Sequence, residues 1–94
     1  MTNALTDTVL IINSKDNVGV ALRDLKAGER VVAAGEERFP LLEDIPASHK
    51  VALKDIGEAE EIIKYGETVG VSTKEIKRGS WVHTHNLESR RWKK

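Results

Sequence analysis

Two histidines stand one residue apart near the end of the chain, in Trp81-Val82-His83-Thr84-His85-Asn86-Leu87. Imidazole titrates near neutral pH and is the commonest metal ligand among side chains. The pattern predicts an alternating strand, on which His83 and His85 point to one face with backbones about 7 Å apart. So placed, the two rings can converge on one metal ion or on one anionic substrate. His49 lies far upstream, in Ile45-Pro46-Ala47-Ser48-His49-Lys50-Val51, at a loop just before a strand, from which a third ligand is geometrically reasonable. The same spacing also describes a solvated strand face and a loop histidine, and the linear pattern leaves both readings open.

Lys64-Tyr65-Gly66-Glu67 offers a cation, a phenol and a flexible backbone within four residues. A sugar acid needs such groups, a cation for its carboxylate and hydrogen-bonding partners for its hydroxyls. The alternative is a hairpin turn with Gly66 in the turn conformation and Lys64 merely exposed. Asn86 is a ligand-binding candidate or simply the end of its strand. Beyond these the chain is poor in catalytic machinery: Ser, Thr and Tyr lie in no linear nucleophile signature, and neither GxxxxGK nor GxGxxG occurs. No catalytic base or acid is singled out. Arg90, Arg91, Lys93 and Lys94 around Trp92 have the chemistry to touch a nucleic acid, but five residues are too few to make a platform. A frayed tail, or one that docks on a partner through Trp92, is the expectation there.

The elements that position these residues must fit in 94 residues, enough for one domain. Fifteen basic and 15 acidic side chains cancel, so no overall field draws the chain to nucleic acid or to an anionic membrane. Cysteine is absent, which excludes a disulfide framework and thiolate metal ligands and suits a reducing compartment. The N-terminus lacks the basic and apolar regions of a leader, and no run approaches the roughly 18–20 apolar residues of a membrane span. The expected location is the cytoplasm.

Val9-Leu10-Ile11-Ile12 reads as a strand ended by the turn-rich Asn13-Ser14-Lys15-Asp16-Asn17, and Val18-Gly19-Val20-Ala21-Leu22 as the next. A phrase then occurs three times, beginning at Leu22, Leu53 and Thr73: a basic residue, an acid, Leu or Ile, two spacers, a small residue and a new strand. It reads as a strand-reversing corner. The acid accepts from amides two or three residues on, the aliphatic side chain pins the turn, and Gly28 and Gly79 take positive φ. The middle copy has Ala59 in place of Gly, so its turn is expected to differ, and the unequal separations argue against a solenoid. Residues 33–46 hold both prolines and predict a connection or edge segment with a helical turn at 41–44. Residues 88–94 are expected to be a loosely ordered tail. The fold expected is all-β, one domain over 1–94 of bent hairpins.

Taken in order, His49-Lys50-Val51-Ala52-Leu53-Lys54-Asp55-Ile56, Ile63-Lys64-Tyr65-Gly66-Glu67-Thr68-Val69-Gly70 and Trp81-Val82-His83-Thr84-His85-Asn86-Leu87 resemble the N-terminal segment of the altronate and galactarate dehydratases. The resemblance spans most of the chain and is weakest at 1–10, 33–45 and 88–94. It implies a SAF domain with a β-clip fold, acting as the small subunit of a hydro-lyase beside a separate large dehydratase subunit, as in the related small subunit of sulfolactate sulfo-lyase. The implied reaction turns an aldonic or aldaric acid into a 2-keto-3-deoxy acid, with a divalent metal, iron(II) being the usual association. It further implies His49, His83 and His85 at the metal or the substrate carboxylate, and Lys50, Lys64, Tyr65 and Asn86 around the substrate. The alternative is a non-catalytic SAF module that binds sugar acids or assists assembly. Exposed sheet edges also leave room for a homodimer.

Overall fold

Short β-branched runs separated by turn residues form nine strands in the computed structural model, which describes residues 5–89. They are β1 Val9–Leu10, β2 Val18–Ala21, β3 Arg30–Ala33, β4 Glu36–Pro40, β5 Lys50–Ala52, β6 Glu61–Lys64, β7 Glu67–Ser72, β8 Trp81–Val82 and β9 Leu87–Ser89. Neither helix nor parallel pair occurs among the described residues, so the all-β expectation holds. A four-stranded sheet runs β1-β2-β5-β8, a three-stranded sheet β6-β7-β9, and β3 pairs with β4 alone. Pro40 ends β4, which has one neighbour, so its missing N–H costs no ladder bond. The expected loose tail is corrected at its start, because Glu88 and Ser89 belong to β9 and pair with β7. Arg90, Arg91, Trp92, Lys93 and Lys94 lie outside the described residues.

The corner is built four times rather than three. Leu25, Ile45, Ile56 and Ile76 are its aliphatic pins. Three residues after each comes a left-handed residue: Gly28 (φ 91°), Ser48 (φ 71°), Ala59 (φ 68°) and Gly79 (φ 90°). Ala59 therefore adopts the same turn as the glycines, against expectation. Corners meet in pairs: Leu25 and Ile45 exchange N–H···O bonds of 2.8 and 2.9 Å, and Ile56 and Ile76 exchange two of 2.8 Å. The acids act across these pairs. Asp24 Oδ1 accepts from Ala47 N at 2.8 Å, Asp44 Oδ1 from Ala27 N at 2.8 Å, and Asp55 Oδ1 from Arg78 N at 2.9 Å. Each carboxylate thus ties its corner to the partner corner instead of closing its own turn, as the sequence had suggested.

The fourth corner occupies 41–50, and in place of the helical turn expected at 41–44 there are a bend at 42–43, the isolated bridge of Ile45 to Leu25 and a turn at 47–48. Once it is counted, the spacing becomes regular. Leu25 and Ile56 are offset by 31 residues, as are Ile45 and Ile76. The same offset relates the β3–β4 hairpin to the β6–β7 hairpin. Burial follows this duplication: Leu25, Val31, Ile45 and Val51 sit in one hydrophobic cluster, and their counterparts Ile56, Ile62, Ile76 and Val82 in the other. All are at most 2 % exposed, so each side chain contributes about 1.5–3 kcal/mol of apolar burial.

Candidate functional site

His49 is placed by a corner. In the corners pinned by Leu25 and Ile56, a glutamate four residues after the pin accepts from the amide that follows the pin: Glu29 from Lys26 N at 2.8 Å and Glu60 from Gly57 N at 2.6 Å. In the corner pinned by Ile45 the residue after the pin is Pro46, which has no N–H to satisfy. The glutamate position there is His49, with its side chain left available for other contacts. From His49 the chain enters β5, which pairs with β8 in the register Lys50↔Val82 and Val51↔Trp81. One step further along this register, His49 faces His83.

The rings of His49 and His83 lie 4.6 Å apart, centroid to centroid. Trp81 completes the group: its indole stacks on His83 at 5.6 Å with 8° between planes, and lies 5.1 Å from His85 and 5.6 Å from His49. Its Nε1–H donates to His49 Nδ1 at 3.0 Å. The imidazoles expected to converge therefore gather around one indole, but by a different device from the one expected. Residues 83–86 form a turn and not a strand, so strand alternation does not align His83 with His85. Asn86 makes the turn. Its Oδ1 accepts from His83 N at 2.9 Å, its Nδ2 donates to Trp81 O at 2.9 Å, and its own N–H donates to His83 O at 3.0 Å. Only 5 % exposed, Asn86 uses its side-chain amide to make the turn that positions the histidines.

Among the described residues no group of three or more His, Cys, Asp or Glu side chains is placed to hold a metal ion. The Nδ1 lone pair of His49 is already used by the indole. His49, His83 and His85 as arranged do not fit a three-ligand metal centre.

The electrostatics point to an anion. Burial, and then the Lys64 ammonium, hold the Lys50 amine below its ordinary value. Desolvation, followed by His49, Lys50 and His85, holds the His83 imidazole below its own. Lys64 thus shares the surroundings of Lys50, and Lys50 those of His83, so two ammonium groups come to the end of the β5–β8 ladder where the histidines gather around Trp81. Lys64 comes to it from the β6–β7 hairpin, whose two-residue turn has both Tyr65 (φ 58°) and Gly66 (φ 79°) in the left-handed region. The hairpin turn read at Lys64-Tyr65-Gly66-Glu67 is present with Gly66 in the turn conformation, but Lys64 is half-buried and not merely exposed. Yet a tyrosine with positive φ is costly, and this one is 45 % exposed with Lys64 Nζ 5.0 Å from its ring centroid. Asp16 holds the turn, its Oδ1 accepting from Gly66 N at 2.7 Å and its Oδ2 from Asn13 N at 3.1 Å.

Sequence reasoning missed Trp81, Glu43 and Asp16. Trp81 was legible in part, since it stands two residues before His83 and reads as the same strand face. Glu43, which accepts from Trp81 N at 2.9 Å across 38 residues, left no linear signal.

The family model described as the altronate/galactarate dehydratase SAF domain matches residues 7–90. The chain is 40% identical over 78 residues to an altronate dehydratase of Bacillus subtilis (strain 168), covering 83% of this chain and 16% of that protein. It is 44% identical over 73 residues to a galactarate dehydratase (L-threo-forming) of Escherichia coli (strain K12), covering 76% and 13%. It is also 32% identical over 89 residues to a (2R)-sulfolactate sulfo-lyase subunit alpha of Chromohalobacter salexigens, covering 88% of this chain and 95% of that subunit. The chain spans less than a fifth of the dehydratases and nearly all of the sulfo-lyase subunit.

Proposed function

The chain belongs to the altronate/galactarate dehydratase SAF domain family, and on that footing we propose that it is the small subunit of a hydro-lyase acting on an aldonic or aldaric acid, such as altronate or galactarate. A larger dehydratase chain is its partner. The match to nearly the whole of a sulfo-lyase subunit alpha supports a separate small subunit, and the match to the dehydratases supports removal of water as the reaction. We place the enzyme in the cytoplasm, a reading supported by its likeness to enzymes of sugar-acid metabolism.

The observation that carries the reading is the gathering of His49, His83 and His85 around the indole of Trp81 at the end of the β5–β8 ladder, with Lys50 in that ladder and Lys64 near Lys50. Dehydration of a hydroxy acid removes the C2 proton and expels the C3 hydroxyl, and negative charge builds on the carboxylate as the C2–H bond breaks. Lys50 and Lys64 hold that carboxylate and stabilise the growing charge in a partly desolvated site, where it counts for more than in water. The exposed Tyr65 hydroxyl is placed for the substrate's own hydroxyls. Proton removal from C2 falls to the partner chain. A divalent metal such as iron(II) would have to be held by residues other than His49, His83 and His85, and would supply Lewis acidity there.

The test is to reconstitute the chain with a dehydratase-like large chain and assay altronate, galactarate and (2R)-sulfolactate. Lys50→Met and His83→Ala are each expected to lower kcat/KM by about tenfold or more, the loss of one charge-assisted contact in the transition state. Turnover that is absent with every acid, or unchanged by both substitutions, contradicts the reading. The scarcity of catalytic groups favours a second reading, a non-catalytic sugar-acid-binding module. Tight binding of galactarate by this chain with no turnover beside any partner would establish that instead.

A further inference from the structure

We propose that Trp81 is a positioning residue which holds His49 in the tautomer bearing its proton on Nε2, so that His49 meets the ligand as an N–H donor to an anionic oxygen. The inference rests on the anion-binding reading above and assigns His49 its part in it.

An indole nitrogen is a donor only, so whatever lies 3.0 Å from Trp81 Nε1 in hydrogen-bonding geometry must present a lone pair. That atom is His49 Nδ1. A neutral imidazole has one protonated nitrogen and one bare nitrogen, and which is which is set by the bond the other makes. With Nδ1 accepting, the proton resides on Nε2. A histidine that ligates a metal through Nε2 shows the reverse pattern, with Nδ1–H donating to a carbonyl or carboxylate. In this structure the partner of Nδ1 is a donor, so ligation through Nε2 would require lone pairs on both nitrogens, an imidazolate. The arrangement offers an anion one N–H and denies a metal its electron pair.

Three further contacts keep the indole where this requires. Trp81 pairs with Val51 in the β5–β8 ladder, its backbone N–H donates to Glu43 Oε2, and its ring stacks on His83. Trp81 also packs against the first hydrophobic cluster, which leaves the ring little freedom to turn its N–H elsewhere. The donor is therefore fixed before any ligand arrives, the condition under which a hydrogen bond contributes most to binding.

The experiment is long-range 1H–15N correlation of the histidine rings in the full chain. Wild type is expected to show His49 as a single Nε2–H tautomer. Trp81→Phe, which keeps the packing and removes the donor, is expected to release a mixture containing the Nδ1–H form. Stoichiometric Zn2+ is expected to leave the wild-type His49 Nε2 proton in place. A wild-type Nδ1–H tautomer, a Trp81→Phe spectrum with His49 unchanged, or displacement of the Nε2 proton by Zn2+ would each overturn the assignment. If Trp81→Phe does not fold, the two wild-type measurements decide. These readouts do not depend on which acid is the substrate. A reconstituted complex inactive on every acid would therefore sink the functional reading and leave the tautomer standing, and the reverse outcome would do the opposite.

Discussion

At Asp16 one carboxylate carries a load that its linear context does not announce. Burial pushes its pKa up, but the backbone amides of Gly66, Asn13, Tyr65 and Ile12 outweigh burial and hold it below the ordinary 3.8. A depressed folded-state pKa means stability that is fully present above the unfolded value and is lost as pH falls through the folded one. Asp16→Asn is accordingly expected to lower stability by about 1 kcal/mol at pH 7, the gap from wild type closing in acid below pH 3.8. Urea unfolding across that pH range checks it, and a gap that persists undiminished in acid would contradict the assignment. The site residues themselves were only partly legible. His49, Lys50, Lys64, Tyr65, His83 and His85 were named from types, spacing and resemblance, but a His-x-His spacing suits a strand and a turn alike. What decides for the turn is the buried side chain of Asn86. The bond from Trp81 to His49 spans 32 residues, a separation at which local pattern carries no information.

The corner explains why some elements were readable and one was not. A glycine after an acid and an aliphatic residue announces a left-handed turn, so Gly28 and Gly79 marked two corners directly. The fourth copy hides the same geometry behind Pro46 and Ser48 (φ 71°), and two prolines in one segment argue locally for an edge or a helical start. The geometry gives a paired expectation. Nothing stands within 4 Å of a Cβ added at Gly28, so Gly28→Ala is strained by its φ of 91° alone and should cost about 1 kcal/mol. Ala59→Gly removes the corresponding strain at φ 68° and should leave stability equal or higher by up to about 1 kcal/mol, since glycine also loosens the unfolded chain. Thermal melts of the two variants read this out, and a clearly destabilised Ala59→Gly would show that the corner does not need a left-handed residue there. Asp24→Ala, which removes the carboxylate that accepts from Ala47 N across the paired corners, should cost about 1 kcal/mol as well.

On the scale of the molecule, two units offset by 31 residues share one four-stranded sheet, in which β5 pairs with β2 on one side and β8 on the other. The equivalent pins Leu25 and Ile56 are both 1 % exposed, one in each cluster. Replacing either by alanine should cost about 2–5 kcal/mol, a large part of the stability of a domain this small. Because β5 places Val51 in one cluster and Ala52 in the other, both substitutions should lower the midpoint of a single unfolding transition; two separate transitions would show that the clusters melt independently. The all-β class followed from composition and turn chemistry, whereas the duplication stayed concealed until the fourth corner was counted. The site lies where the β5–β8 ladder ends, and Lys50 is its most direct reporter, an amine held below its ordinary value by burial and by Lys64. The decisive measurement is the rate of reductive methylation of each lysine, followed by mass spectrometry, in the reconstituted two-chain complex with and without saturating galactarate or altronate. Protection of Lys50 and Lys64 by the acid, with Lys54 and Lys77 reacting as before, is the expected result. Unchanged modification of Lys50 in a complex that is turning the acid over would place the carboxylate elsewhere and contradict the proposed site.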